Sequence, residues 1–142
     1  MTNEALAELL PEATELTAPY WEGLELGELR LQRCEDCGAY QYPPESFCRA
    51  CPSERLEWCA VEGGGSVYSF IVVRQRYLPA FGDLIPYNVA IVELDEGPRV
   101  IANLLDVDNE AIEIGMRVRS RIEPVGERFA LYFEAENFEA EG

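Results

Sequence analysis

Four cysteines in two closely spaced pairs are the residues whose types and spacing most directly indicate chemistry. Cys34 and Cys37 form one pair, Cys48 and Cys51 form the other, and two residues separate the members of each pair. A turn of that length brings both sulfurs of a pair to one ion, and two such pairs supply the four ligands of tetrahedral Zn²⁺. The pattern predicts a structural zinc site. Two disulfide bonds are the alternative, but a soluble chain without an export signal belongs in a reducing compartment, which favours the metal.

The chain contains no histidine, which limits the chemistry that it can perform alone. Ser-His-Asp and Cys-His catalytic groups and a histidine general base are excluded. A zinc ion held by four thiolates has no open position for water, as in structural sites. The fifth cysteine, Cys59, lies in the strand-like run 56–61, where alternation predicts a buried, inert thiol.

The formal net charge of −16 arises from 27 acidic residues against 11 basic residues, all of them arginine. Such a surface repels phosphate backbones, so we expect no binding to nucleic acid and, less strongly, none to anionic lipid. A single-stranded nucleic-acid-binding protein is kept as an alternative, because aromatic residues able to stack on bases are present. No apolar run approaches the roughly 20 residues that cross a bilayer, and the first residues lack a signal-peptide pattern. We therefore expect a cytoplasmic protein without a membrane partner.

The order of the sequence patterns predicts a mainly β protein. Helical spacing marks an N-terminal arm over 1–27, and the cysteine pairs lie in a ribbon over 28–60. The barrel domain is expected over 61–138 and an acidic tail over 139–142. Five strand-like runs follow the ribbon, and five is the strand number of an OB-fold barrel. These runs are 66–74, 87–94, 99–105, 116–122 and 129–136.

The chain resembles the acyl-CoA-associated zinc-ribbon and OB-fold family, formerly catalogued as domain of unknown function thirty-five. The resemblance extends from about Thr17 to Phe138, with the motifs in the expected order. It is carried by Tyr20-Trp21-Glu22-Gly23-Leu24, Gly27-Glu28-Leu29, Arg33-Cys34-Glu35-Asp36-Cys37-Gly38, Pro43-Pro44, Cys48, Cys51, Leu56-Glu57-Trp58, 63–70, 86–94, Glu96-Gly97-Pro98 and Ile114-Gly115.

The resemblance implies a helical arm, a rubredoxin-like zinc ribbon and a five-stranded OB-fold barrel. Members of that family are companion subunits of thiolase-fold enzymes that act on acyl-CoA thioesters. The resemblance therefore implies a non-catalytic subunit of a heteromeric complex, with a steroid side-chain retro-aldolase as the first expectation and an acetyl-CoA acyltransferase as the second. Two alternatives remain: a stand-alone acyl-CoA carrier, and an independent enzyme that uses carboxylates and tyrosine as acid and base.

Aromatic residues near the ribbon and near the long connection 75–86 are the expected contacts with the partner and with a shared acyl-CoA. Arg74 and Arg76 are the bases close to this connection, and either is expected to meet a CoA phosphate. The alternative is that part of this set packs the chain's own core. The full set is Tyr20, Trp21, Tyr40, Tyr42, Phe47, Arg74, Arg76, Tyr77, Phe81 and Tyr87.

Overall fold

The computed structural model describes residues 10–74 and 86–136. The beginning of the predicted arm, 1–9, and the predicted tail, 139–142, lie outside these ranges. The described residues form one α-helix and nine strands in two sheets. The elements are α1 (Ala18–Glu25), β1 (Leu29–Cys34), β2 (Tyr40–Gln41), β3 (Leu56–Val61), β4 (Gly64–Val73), β5 (Tyr87–Leu94), β6 (Arg99–Ala102), β7 (Leu104–Leu105), β8 (Arg117–Val125) and β9 (Arg128–Ala135), with a short 3-10 helix at Asn109–Ala111.

Helix α1 is the only helix of the predicted arm among the described residues. Pro19 lies in its first turn, where a missing N–H leaves no bond unmade and the fixed φ suits a helix. Gly27 follows the helix with a φ of 83°, a conformation that ends helices and favours glycine. Tyr20 and Leu24 are buried on one side, so the helix packs its apolar face against the strands. The prediction of a helix here is confirmed.

The three-stranded sheet forms the ribbon, with β1 between β2 and β3 and both pairings antiparallel. Leu29 and Leu31 point into the core, as alternation predicts. Gln32 is also buried, although alternation assigns it to the solvent side. Strand β1 ends at Cys34, so the central strand delivers the first ligand directly to the metal site.

The six-stranded sheet has the order β6-β5-β4-β8-β9-β7, with antiparallel pairs except β7–β9, which is parallel. Strands β6 and β7 are consecutive in the chain and are separated by Asn103 alone. This one run of residues therefore forms both edge strands of the order, with β6 paired to β5 and β7 paired to β9. The predicted third strand, 99–105, is therefore divided into two segments within an OB fold. The turn between β8 and β9 begins after Val125, which is buried and paired in β8.

The side chain of Asn88 joins the first residues of β5 to β7 where the third run changes partners. Its amide nitrogen donates to the carbonyl of Leu104 at 3.0 Å, and its oxygen accepts from the Leu104 N–H at 2.6 Å. The same nitrogen donates to the side chain of Asn109 at 3.1 Å. The carboxamide thus replaces a pair of backbone bonds between strands that are not paired with each other.

The buried core is continuous across the predicted boundaries at 27–28 and 60–61. Residues of α1, of β1 and of the six-stranded sheet belong to one cluster, so the three parts pack against one another. Its members are Tyr20, Leu24, Leu29, Leu31, Val67, Ala90, Val92, Leu94, Val100, Ala102, Leu104, Ile112, Val118 and Phe133. The domain boundaries themselves stay predictions. Among the described residues, no helix is long and apolar enough to span a bilayer.

Candidate metal centre and the expected partner contacts

The four predicted cysteine ligands meet at one point, with all four sulfur atoms within 4.8 Å of one another. The Sγ atoms of Cys34 and Cys51 are 3.5 Å apart, and those of Cys37 and Cys48 are 3.7 Å apart. A disulfide bond needs about 2.05 Å, so neither pair is bonded. Tetrahedral Zn²⁺ with bonds of about 2.3 Å places its sulfurs about 3.8 Å apart. The donor set and its spacing therefore fit zinc.

Backbone turns aim N–H groups at the sulfurs. The N–H groups of Asp36 and Cys37 lie 3.3 and 3.4 Å from the Cys34 sulfur, and the N–H of Ala50 lies 3.3 Å from the Cys48 sulfur. The first turn continues through Gly38, whose φ of 80° is readily adopted by glycine. These N–H groups stabilise thiolates, which are the form that binds a metal.

The proton affinities of the sulfurs are consistent with a site made for a cation. The N–H of Cys37 lowers the pKa of Cys34 to about 6. The N–H of Ser53 lowers the pKa of Cys51, but the neighbouring thiols, Cys34 first, raise it to about 12 overall. Closely spaced sulfurs cannot all carry negative charge unless a positive ion lies between them.

Two buried glutamines that the sequence patterns did not indicate hold the second cysteine pair in place. The amide nitrogen of Gln41 donates to the side-chain oxygen of Gln32 at 2.8 Å and to the carbonyl of Phe47 at 3.1 Å. The oxygen of Gln41 accepts from the N–H of Arg49 at 3.0 Å. Gln32 in turn bonds both backbone groups of Glu45. These bonds fix the loop that carries Cys48.

We expect Gln41→Met to lower the free energy of unfolding by about 1–3 kcal/mol, because the Arg49 N–H and the Phe47 carbonyl lose a partner while the volume is kept. Zinc should then pass to a competing chelator several-fold faster. Chemical denaturation and the absorbance of a chelating dye measure the two effects. Glu54→Met, at an exposed position of the same ribbon, is the control. Equal rates of zinc transfer from both variants would contradict the role of Gln41.

The three arginines beside the cysteine pairs are each held by carboxylates. Arg33 contacts Glu57 at 3.1 Å, and Arg55 contacts Glu35 at 3.2 Å. Arg49 donates to the carbonyl of Pro43 at 2.7 Å and lies 3.5 Å from a carboxylate oxygen of the same loop. Their charge is therefore shared with carboxylates rather than directed at the sulfurs alone, and the N–H groups make the direct contacts.

The expected aromatic contacts of the ribbon differ in exposure. Tyr20 is only 7% exposed and packs against Trp21 and Tyr42, with ring centroids 5.1 and 5.7 Å away. Burial, with the nearby Tyr42, raises the pKa of Tyr20 well above its ordinary value. Tyr20 thus belongs to the core of this chain and is not a free contact surface. Tyr40 and Tyr42 are half-buried and line a cleft of about 250 Å³ between the ribbon and the turn after β5, while Phe47 is 44% exposed.

Trp21 is half-buried beneath a guanidinium, with the Arg128 side chain 4.6 Å above its ring. Arg128 also donates to the carbonyls of Leu10 and Pro11, at 3.4 and 2.8 Å. The segment of the arm that precedes α1 is therefore tied to the first residue of β9. One face of Trp21 is used within the chain, which leaves less of it for a partner than the sequence alone indicates.

Two of the expected contacts near the long connection lie among the described residues. Arg74 is exposed directly after β4, and Tyr87 is half-buried at the start of β5. Both therefore lie at the end of the sheet where the connection begins and returns. Arg76, Tyr77 and Phe81 lie outside the described residues.

Cys59 is half-buried in β3 opposite Leu31, so the prediction of a fully buried thiol is corrected. Strand β3 is an edge strand of the small sheet, and this edge position leaves its side chains partly open to solvent. Desolvation, followed by the charge of Glu57, raises the pKa of Cys59. The thiol is therefore neutral at pH 7 and is poorly suited to act as a nucleophile.

Two family models match the chain in succession. The rubredoxin-like zinc ribbon domain of ChsH2 matches residues 21–57, and the C-terminal OB-fold domain of ChsH2 matches residues 58–123. The four cysteines all fall within the first match, so they form the metal site of a zinc ribbon.

Curated relatives carry names of three kinds. A probable enoyl-CoA hydratase alpha subunit of Thermomonospora curvata is 42% identical over 70% of this chain and 30% of its own length. A DUF35 domain-containing scaffold protein of Methanothermobacter thermautotrophicus is 38% identical over 61% of this chain and 65% of its own length. The benzoylsuccinyl-CoA thiolase subunit BbsA of Thauera aromatica is 29% identical over 68% of this chain and 60% of its own length. The chain thus spans less than a third of the hydratase subunit and under two thirds of the others.

A solved structure matches over a larger share of its length. A chain of the Ltp2-ChsH2(DUF35) aldolase is 34% identical with a TM-score of 0.80, and the match covers 89% of this chain and 98% of that chain. At this identity and coverage the likeness concerns sequence and fold together.

Proposed function

The chain belongs to the ChsH2-type DUF35 family of zinc-ribbon and OB-fold proteins, and on this premise we propose that it is a non-catalytic accessory subunit of an acyl-CoA-processing enzyme. Its partner is a thiolase-fold subunit that carries the reacting groups. The observation that carries the proposal is the match to one whole chain of a two-component aldolase. The names hydratase alpha subunit, thiolase subunit and scaffold protein among relatives are consistent with one part of a larger assembly.

The metal centre supports a structural role. Four thiolates complete a tetrahedral zinc ion, and such a closed site does not activate water or bind a carbonyl oxygen. The chain has no histidine to act as a general base near neutral pH. The ribbon therefore contributes a stiff surface, and acid–base chemistry on a thioester falls to the partner.

Among possible reactions, we propose retro-aldol cleavage of a steroid side-chain CoA thioester, with acetyl transfer as the alternative. The aldolase chain matches with 34% identity over nearly all of its length, whereas the thiolase subunit matches with 29% identity over 60% of its length. This difference favours the aldolase. The acyl-CoA is shared with the partner, because the net charge of −16 opposes binding of three phosphate groups by this chain alone. Arg74 is the described base proposed to meet a phosphate at the shared boundary.

The expected outcome of purification is that the chain alone leaves acyl-CoA thioesters unchanged, whereas a complex isolated from its source turns them over. A tagged chain is copurified with its partner, the partner is identified by mass spectrometry, and free CoA and cleaved product are followed by liquid chromatography. Turnover by the chain alone would contradict the accessory role. Calorimetric binding of acyl-CoA by the chain alone, with no thiolase-fold protein copurifying, would instead favour a carrier.

A further inference from the structure

The outer face of β4, β5 and β6 presents contiguous apolar side chains to solvent. Residues 88, 90, 92 and 94 of β5 are buried, so alternation turns its other residues outward. The cross-strand register places Ile71 beside Val89 and places Ile91 beside Ile101 on that outer side. Ile71 is 61% exposed and Ile101 is 71% exposed. We call this surface the outer apolar face.

The two ends of the outer apolar face differ. At one end Arg99 lies 3.7 Å above the ring of Tyr68 and 4.0 Å from Glu93. The charges of Arg99 and Glu93 balance, so the apolar face ends here at polar residues without net charge. At the other end Val73 is paired with Tyr87, where the face opens into a groove. Between these ends Ile71, Val89, Ile91 and Ile101 form the apolar part of the face, and Ser69 of β4 lies beside Ile91 at its border. Exposed apolar side chains grouped in this way mark surfaces that soluble proteins usually cover.

The groove has a volume of about 620 Å³ and continues the outer apolar face around the sheet. Its lining includes Val89 of β5 and Ile101 of β6, together with Leu105, Arg121 and Tyr132 of β7, β8 and β9. Side chains of the outer apolar face thus also line the groove, so one occupant can contact both surfaces.

The groove is acidic in spite of Arg121. The guanidinium of Arg121 contacts Asp106 at 2.6 Å and Glu134 at 3.3 Å, and it also bonds Glu123. Glu134 is also paired with Arg119, at 2.8 Å. Among the lining residues one positive group therefore faces two carboxylates, Asp106 and Glu123, and Asp106 is 75% exposed. A phosphate would be repelled here, whereas a lysine or arginine side chain would be attracted.

We propose that the outer apolar face and the adjoining groove form the docking surface for the partner subunit. This inference rests on the proposed function and deepens it. The occupant is a segment of the thiolase-fold subunit with aliphatic side chains that cover Ile71 and Ile101, and with a basic side chain that enters the groove near Asp106. A second copy of this chain is disfavoured, because each copy carries a net charge of −16. An anionic membrane surface is disfavoured for the same reason.

The test measures binding of the thiolase-fold subunit identified by copurification to purified variants of this chain. We expect Ile71→Asp and Ile101→Asp each to raise Kd at least ten-fold, since an apolar contact is replaced by a desolvated charge. Ile114→Asp is the matched control, because Ile114 is 69% exposed but lies outside the three strands. Its Kd should stay within two-fold of the original. Unchanged affinity in the first two variants, or an equal loss in all three, would overturn the proposal.

Charge is tested separately with Asp106→Asn. We expect weaker binding with a shallower dependence of affinity on salt concentration, whereas an unchanged salt dependence would contradict the placement of a basic side chain in the groove.

Hydroxyl-radical footprinting of the unaltered chain covers the case in which an aspartate variant fails to fold. Oxidation of Ile71, Ile101 and Tyr68 should fall several-fold in the complex, while oxidation of Ile114 should not change. If the partner binds but Ile71 and Ile101 are oxidised equally with and without it, the proposed docking surface is overturned. Failure of the unaltered chain to bind any thiolase-fold subunit is the separate result that removes the proposed function. If the chain alone sediments as a dimer and the Ile71→Asp variant sediments as a monomer, the outer apolar face contacts a second copy instead, and the proposal is overturned.

Discussion

Substituting Cys34 or Cys51 by serine should release the zinc ion and unfold the ribbon. Binding of zinc to four thiolates supplies about 10–16 kcal/mol in small zinc modules, so most of the ribbon's stability depends on the metal. β1 and β3 also contribute Leu29, Leu31 and other side chains to the shared core, so the loss should extend to the six-stranded sheet. We expect metal content to fall from one equivalent to near zero, together with a large fall in Tm. Plasma mass spectrometry and circular dichroism measure the two effects.

Cys59→Ala is the control for the cysteine substitutions. Its sulfur lies in β3 and is not among the four that meet, so zinc should remain at one equivalent. Loss of an equivalent in this variant would show that the ligands are wrongly assigned. An unchanged melting profile with full metal content after Cys34→Ser would contradict the structural role of the zinc.

Replacing Asn88 by leucine should destabilise the protein by about 2–5 kcal/mol, which is a large part of a typical total of about 5–15 kcal/mol. Leucine has a similar size but leaves the N–H and carbonyl of Leu104, which is 4% exposed, without their present partner. A buried backbone group without a partner costs about 1–3 kcal/mol. Denaturant unfolding followed by tryptophan fluorescence measures the change.

Asn109→Leu provides the comparison for Asn88→Leu. Asn109 is half-buried; its oxygen accepts from Asn88 at 3.1 Å, and its nitrogen donates to the carbonyl of Pro86 at 3.3 Å in an exposed position. Since water can replace the exposed bond, we expect a loss of less than about 1 kcal/mol. If both substitutions had the same small effect, the joint between β5 and β7 would not depend on the Asn88 side chain.

Local patterns were sufficient to predict β5 and the convergence of the four cysteines. Alternation alone predicts β5 at 87–94, and the structure has the same bounds. The spacing of Cys34, Cys37, Cys48 and Cys51 is enough to predict their convergence, because each pair needs only a short turn. Both patterns involve residues that are close together in the sequence, so they can be recognised without knowledge of the tertiary structure.

The buried amides and the division of the third run depend on distant parts of the chain. In an alternating strand Gln32 is assigned to solvent, and only the loop containing Glu45 supplies its partners. Likewise, the break at Asn103 follows from pairing with β9, which begins 25 residues later at Arg128. Burial of Tyr20 depends on the ring of Tyr42 across the core. Such long-range contacts leave no periodic signal in the sequence.

The change of partner at Asn103 has a consequence for native-state opening. In most sheets an edge strand detaches while the far edge stays intact, so amide hydrogens of the two edges exchange independently. Here the two edges are parts of one short run, and the N–H of Phe133 also donates to the Asn103 carbonyl at 3.1 Å. Detaching β7 from β9 therefore strains the pairing of β6 with β5. Amide hydrogens of β6 and of β7 should therefore exchange with a common opening free energy. Neither edge strand is expected to fray while the other stays paired.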